Sequence, residues 1–119
     1  MVLTITEIDT NGSCLTVGAI IISEETGLYR DIVAFTMGDV NNSDDDDVTL
    51  FRDLFGFNVN LDYDDTGDTG NAFDETSLSI AVADIVDYSS DYIGKTVHTS
   101  VNVYERVVHN GKNQMCTTS

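Results

Sequence analysis

Six carboxylates fall within LDYDDTGDTGNAFDE, residues 61–75: Asp62, Asp64, Asp65, Asp68, Asp74 and Glu75, with two glycines and no lysine or arginine among them. Oxygen donors at this density suit a hard cation, since Ca2+ takes about six to eight ligands from carboxylates, carbonyls and water. The EF-hand spacing is not met. A loop begun at Asp62 places Asp64 third and Gly67 sixth but puts Phe73 where the bidentate glutamate belongs. A loop begun at Asp64 brings Glu75 to that position but sets Thr69 where the sharp turn needs glycine. These six residues therefore form a candidate calcium site outside the EF-hand pattern, and calcium is the one cofactor the sequence suggests. The competing reading is a solvated acidic loop, which is what a run of like charge usually is.

A second acidic group, Asp44, Asp45, Asp46, Asp47 and Asp53, lies just upstream. Carboxylates before a helix have a structural use, because the first turn presents unpaired amides and the positive end of the helix dipole. They also suit recognition of a basic protein surface, so these five are candidate partner-binding residues. From Asp39 to Glu75 there are 12 acids against the single base Arg52, a charge of −11 out of the −16 carried by the whole chain. Such a field disfavours direct contact with nucleic acid or anionic lipid and attracts cations or basic proteins. An array of this kind could also imitate nucleic-acid phosphates and occupy the cleft of a DNA- or RNA-handling protein.

Nucleophilic or acid–base catalysis would need a nucleophile, a base and a group that orients the base. His98 and His109 are the only histidines. His98 alternates away from the apolar positions Val97 to Val103, as an exposed strand residue would, and His109 adjoins a turn. No phosphate loop, dinucleotide-binding glycine pattern or G-x-S-x-G is present, so an enzyme is not expected. Cys14 and Cys116 lack the spacing of a zinc site. Two buried free thiols are the simpler reading, and a single terminal clasp is the alternative.

The elements that position these groups read as mainly β. Residues 2–9 and 13–23 are rich in Val, Ile, Leu and Thr and flank Asn11-Gly12, a pair suited to the positive φ angles of a two-residue hairpin turn. A turn over Ser23 to Gly27 leads to a third strand from Leu28 to Met37, giving a meander. Val48, Leu50, Phe51, Leu54 and Phe55 recur at helical spacing, so one short helix is expected over about 44–55, capped by Ser43 and stopped by Gly56. Phe57, Val59, Leu61 and Tyr63 then alternate with polar residues as a half-buried strand. Residues 76–88 fit either period, and a strand through Leu78, Ile80 and Val82 is slightly favoured. A further strand through Val97, Thr99, Val101 and Val103 leads to a closing hairpin at Asn110-Gly111 and a short strand near 114–117.

With 119 residues and no internal repeat, the chain is expected to form one domain over 1–119, a small antiparallel β-sandwich or open barrel with one short helix. The start of the chain lacks the basic and apolar regions of a signal peptide, and no apolar run approaches the ~20 residues that span a bilayer. The sequons at Asn11 and Asn41 carry little weight without such a signal. The function expected is that of a non-enzymatic structural or assembly protein with a protein partner or self-assembly. Its composition resembles that of small virion components, such as capsid decoration or tail-associated proteins. A nucleic-acid mimic and a calcium-binding β-domain are the alternatives.

Overall fold

A computed structural model describes residues 1–12, 14–23, 29–39, 44–63 and 69–107. The closing hairpin and strand expected beyond residue 107, His109, the turn over 24–28, Ser43 and the candidate ligands Asp64, Asp65 and Asp68 lie outside them. Among the described residues, no helix is long and apolar enough to cross a membrane.

The first third of the chain is the expected meander. Strands β1 (Val2–Asn11), β2 (Cys14–Ser23) and β3 (Tyr29–Met37) pair antiparallel in sequence order, and β6 (Thr96–His98) adds to the other side of β1. Gly12 has the positive φ expected of the turn, 67°, but Asn11, the other residue of the expected pair, closes β1 and pairs with Cys14. The strand β1 does not keep one parity. Leu3 and Ile5 face the core opposite Ile21 and Ala19, but a bulge between Ile5 and Glu7 resets the register so that Ile8 meets Val17. Without that extra residue the alternation would bury Glu7 and Asp9 and expose Ile8. Gly18 permits the bulge, because a Cβ there would stand 3.1 Å from both the Glu7 Cβ and the Thr6 hydroxyl.

The inner face of this sheet is covered by the middle of the chain. Helix α1 (Asp45–Leu50) runs directly into a π-helical turn, Phe51–Phe55, and together they bury Leu50, Phe51, Leu54 and Phe55. The expected helix over 44–55 is thus present, although its N-cap is Asp44 rather than Ser43. It ends at Gly56, whose φ of 77° lets its amide reach the Arg52 carbonyl while the Phe57 amide reaches that of Phe51. Val59 is buried between exposed Asn58 and Asn60, as the alternation required, but only Leu61–Tyr63 pairs as a strand, β4, against β5 (Thr69–Phe73). Phe51 meets Phe73 edge to face at a ring separation of 5.6 Å, tying this two-stranded ribbon to the helical segment.

Residues 76–88 do not form a strand. All but Tyr88, its C-cap, lie in helix α2 (Glu75–Asp87), which buries Leu78, Ala81, Val82 and Ile85 and leaves Ile80, a core position in the strand reading, 58% exposed. The deciding interaction is local: the Asp74 carboxylate accepts from the Thr76 amide, fixing a helical first turn that a strand cannot satisfy. A one-turn helix, α3 (Ser89–Tyr92), follows, and Tyr92 stacks edge to face on Phe55. The expected strand to Val103 stops at His98. There the Thr99 hydroxyl accepts from the Val101 amide and the Asn102 side chain from the Tyr104 amide, which turns the chain into a 3-10 segment, Val103–Arg106. The architecture is therefore a four-stranded antiparallel sheet with a small ribbon and several short helical segments rather than one.

Cys14 is disulfide-bonded, which corrects the expectation of free thiols. The other cysteine of the sequence, Cys116, lies outside the described residues. Replacing Gly56 with alanine should cost about 1 kcal/mol in urea unfolding, because a side chain is strained at positive φ; an unchanged midpoint would refute its role as the helix stop.

Candidate acidic site

The acidic group at 44–53 is organised around one buried carboxylate. Asp47 is 2% exposed, and three donors meet it. Its Oδ1 accepts from the Gly38 amide at 3.3 Å and from Arg106 Nη1 at 2.6 Å, while Oδ2 accepts from the Asp44 amide at 3.2 Å. Asp44 in turn accepts the Asp47 amide at 3.1 Å, so the two aspartates cap the helix reciprocally. The second arm of the Arg106 guanidinium, Nη2, reaches Asp44 Oδ1 at 3.1 Å. One arginine thus bridges two carboxylates, a task that suits its planar fork better than a lysine.

Burial raises the Asp47 carboxyl above its ordinary value, against the pull of Arg106 and of the Gly38 amide in the opposite direction. The ion pair is held in place by packing on either side. Gly38, at φ 84°, follows directly on β3, and Val107, next to Arg106, bridges to Phe35 of the same strand. The carboxylate therefore ties the end of β3, the start of α1 and the 3-10 segment to one point.

The five partner-binding candidates consequently separate. Asp47 points inward, Asp44 is shared between the helix cap and Arg106, and Asp45 and Asp46 are exposed on the first turn. Asp53 is half-buried beside Arg52, at 3.6 Å, a contact of little energetic weight at the surface. The stretch with the greatest density of charge is thus partly neutralised by an arginine 59 residues from Asp47 in sequence. Arg106 was missed among the sequence candidates, and the one local signal was the Asp44-x-x-Asp47 spacing of a reciprocal cap.

The candidate calcium ligands are less unified. Asp74 has a defined structural task as the N-cap of α2, and Glu75 is exposed on that helix's first turn. Asp62 lies in β4, and Asp64, Asp65 and Asp68 fall outside the described residues. Among the described residues, no three histidine, cysteine, aspartate or glutamate side chains are grouped to hold a metal ion. His98 is exposed on β6, as its alternation indicated. No protein-family model matches the chain, and no curated protein or solved structure matches it either.

Two measurements test these assignments. Arg106→Gln should lower stability by about 3 kcal/mol at neutral pH, since it leaves a buried carboxylate without its counter-charge. The sign with pH follows from the raised Asp47 value. The folded state binds the extra proton between the unfolded and folded values, so acid relieves the orphaned charge and the deficit should shrink as pH falls from neutral into the acid range. A deficit that grows in acid would refute the account. Asp74→Ala should cost about 1 kcal/mol through loss of the cap, equally with and without millimolar calcium; a loss seen only with calcium would assign Asp74 to a metal instead.

Proposed function

We propose that this chain is a non-enzymatic structural or assembly protein, of the kind that decorates a capsid or attaches to a tail, docking through its β-sheet and keeping its acidic side toward solvent. The observation that carries this reading is the outer face of the sheet. Ile20 and Ile32 are cross-strand partners there, and Val2 pairs with Ile22 on the neighbouring strand pair. Ile32 is 80% exposed. β-Branched apolar side chains on both faces of β2, through the run Ile20-Ile21-Ile22, are the pattern of a strand covered on both sides.

Charge supports the same orientation. The acid-capped helix α1 belongs to the layer on the inner face, whereas the apolar patch is flanked by Arg30 and His98, at the registers of Ile22 and Val2, and the carboxylates of the outer face, Glu7 and Asp9, sit toward its other end at the registers of Gly18 and Thr16. Docking by this face desolvates few carboxylates and avoids burying unpaired charge. In this reading the sandwich expected from the strand count is completed on assembly, when a partner supplies the layer opposite the outer face.

Cross-linking of the full chain in its native source, followed by isolation, should recover a protein assembly linked near Glu7, Arg30 or Lys95. Ile32→Lys should weaken that association at least tenfold, about 1.4 kcal/mol, while leaving the melting temperature of so exposed a site nearly unchanged. Recovery of an unlinked monomer, or undiminished association of the variant, would overturn the reading.

A further inference from the structure

A groove of about 350 Å3 opens where the tip of the β1–β2 hairpin overhangs α2, between Thr10 and Gly12 on one side and Ser79, Val82, Ala83, Val86 and Asp87 on the other. Its position follows from the bulge. By reversing the parity of β1, the bulge turns Thr10 toward the inner face, where α2 packs. Ser79, Ala83 and Val86 then recur on α2 at spacings of four and three, so one helical stripe with a mainly apolar floor faces the opening. The size is at the low end of the ~300–1,000 Å3 typical of ligand pockets and admits one or two side chains rather than a cofactor.

The end of the groove has an electrostatic character that selects its occupant. The last turn of α2 contains Asp84 and Asp87 and no basic residue, and Asp91 follows in α3. A helix C-terminus carries the negative end of the dipole and ordinarily attracts lysine or arginine. Here like charge has been placed on like charge. Local rules are broken in this manner chiefly where something outside the element compensates.

We propose that this groove binds a short segment of a partner protein that inserts an apolar side chain between the hairpin tip and α2 and sets an adjacent arginine or lysine against Asp87 and the α2 C-terminus. The inference rests on the assembly reading only for the existence of a partner, and it concerns a surface distinct from the outer sheet face. An acidic segment would be repelled at Asp87, and a wholly polar one would leave the Val82–Ala83–Val86 floor wet. The occupant therefore combines both features, an apolar anchor and a cation one or two residues away.

The test uses the purified full chain and a defined probe, the peptide acetyl-Arg-Leu-Leu-Arg-amide, in an amide chemical-shift titration at about 150 mM salt, where long-range attraction is screened beyond ~8 Å. Saturable shifts are expected at Thr10, Gly12, Ser79, Ala83 and Val86, and they should be absent with Arg-Ser-Ser-Arg or Glu-Leu-Leu-Glu in the same frame. Ala83→Trp, which fills the groove from an exposed position, should weaken binding at least tenfold, and Asp87→Asn about threefold to tenfold. Should Ala83→Trp perturb the fold, Ser79→Trp gives the same readout from the neighbouring turn. Shifts that spread over Asp45 and Asp46 and follow peptide charge alone, equal binding by the filled variants, or no shift at millimolar peptide would each overturn the proposal. Because this assay contains no native partner, its failure leaves the sheet-docking reading standing. Conversely, loss of assembly in Ile32→Lys with peptide binding intact would separate the two surfaces.

Discussion

The ion pair between Arg106 and Asp47 is the constraint on which the inner layer depends. A carboxylate removed from water is costly unless its lone pairs are met, and Asp47 meets its requirement with amides from two different segments and a guanidinium from a third. Only the Asp44 amide is local to α1; the other two donors come from elsewhere in the chain, and α1 is a six-residue helix that would not persist in isolation. Its geometry is imposed by tertiary contacts, with Leu50, Phe51 and Leu54 packed beneath and the buried carboxylate fixing where it begins. The same interaction explains how so acidic a segment can sit close to the core. Asp44 and Asp47 are drawn into internal hydrogen bonds, and Asp45 and Asp46 face solvent.

This division gives the acidic middle of the chain a different meaning from the one its composition suggests. Carboxylates at Asp44, Asp47 and Asp74 begin helices, and they do so by accepting backbone amides. A tally of acids therefore overstates the charge free to meet a ligand or a partner. Among the described residues, the isoleucine-rich end of the sheet's outer face lies opposite the layer that holds Asp44 to Asp47.

Several features were legible in the sequence because they are local. Asn11-Gly12 marked the hairpin, the spacing of Leu50, Phe51, Leu54 and Phe55 marked a helical segment, and Gly56 marked its end. The errors arose where short-range side-chain bonds overrode an apolar period. Leu78, Ile80 and Val82 read as a strand until the Asp74 cap is taken into account, and Val101 and Val103 continue an alternation that Thr99 and Asn102 have already interrupted. The candidate site was legible in part. The spacing of Asp44 and Asp47 was visible, but their arginine was not, since nothing local links position 106 to position 47. The groove beside α2 was also hidden, because it exists only once hairpin and helix are brought together.

The bulge at Thr6 has a consequence for how this sheet tolerates change. On either side of it, odd and even positions of β1 exchange inside for outside, so the strand is two half-strands of opposite sense joined at one residue. Loss or gain of a single residue near Thr6 would invert one half relative to the other, pressing Glu7 and Asp9 into the apolar layer while carrying Ile8 out to water. Length in this stretch is thus held more tightly than side-chain identity, and Gly18 across the ladder is the notch that keeps the count.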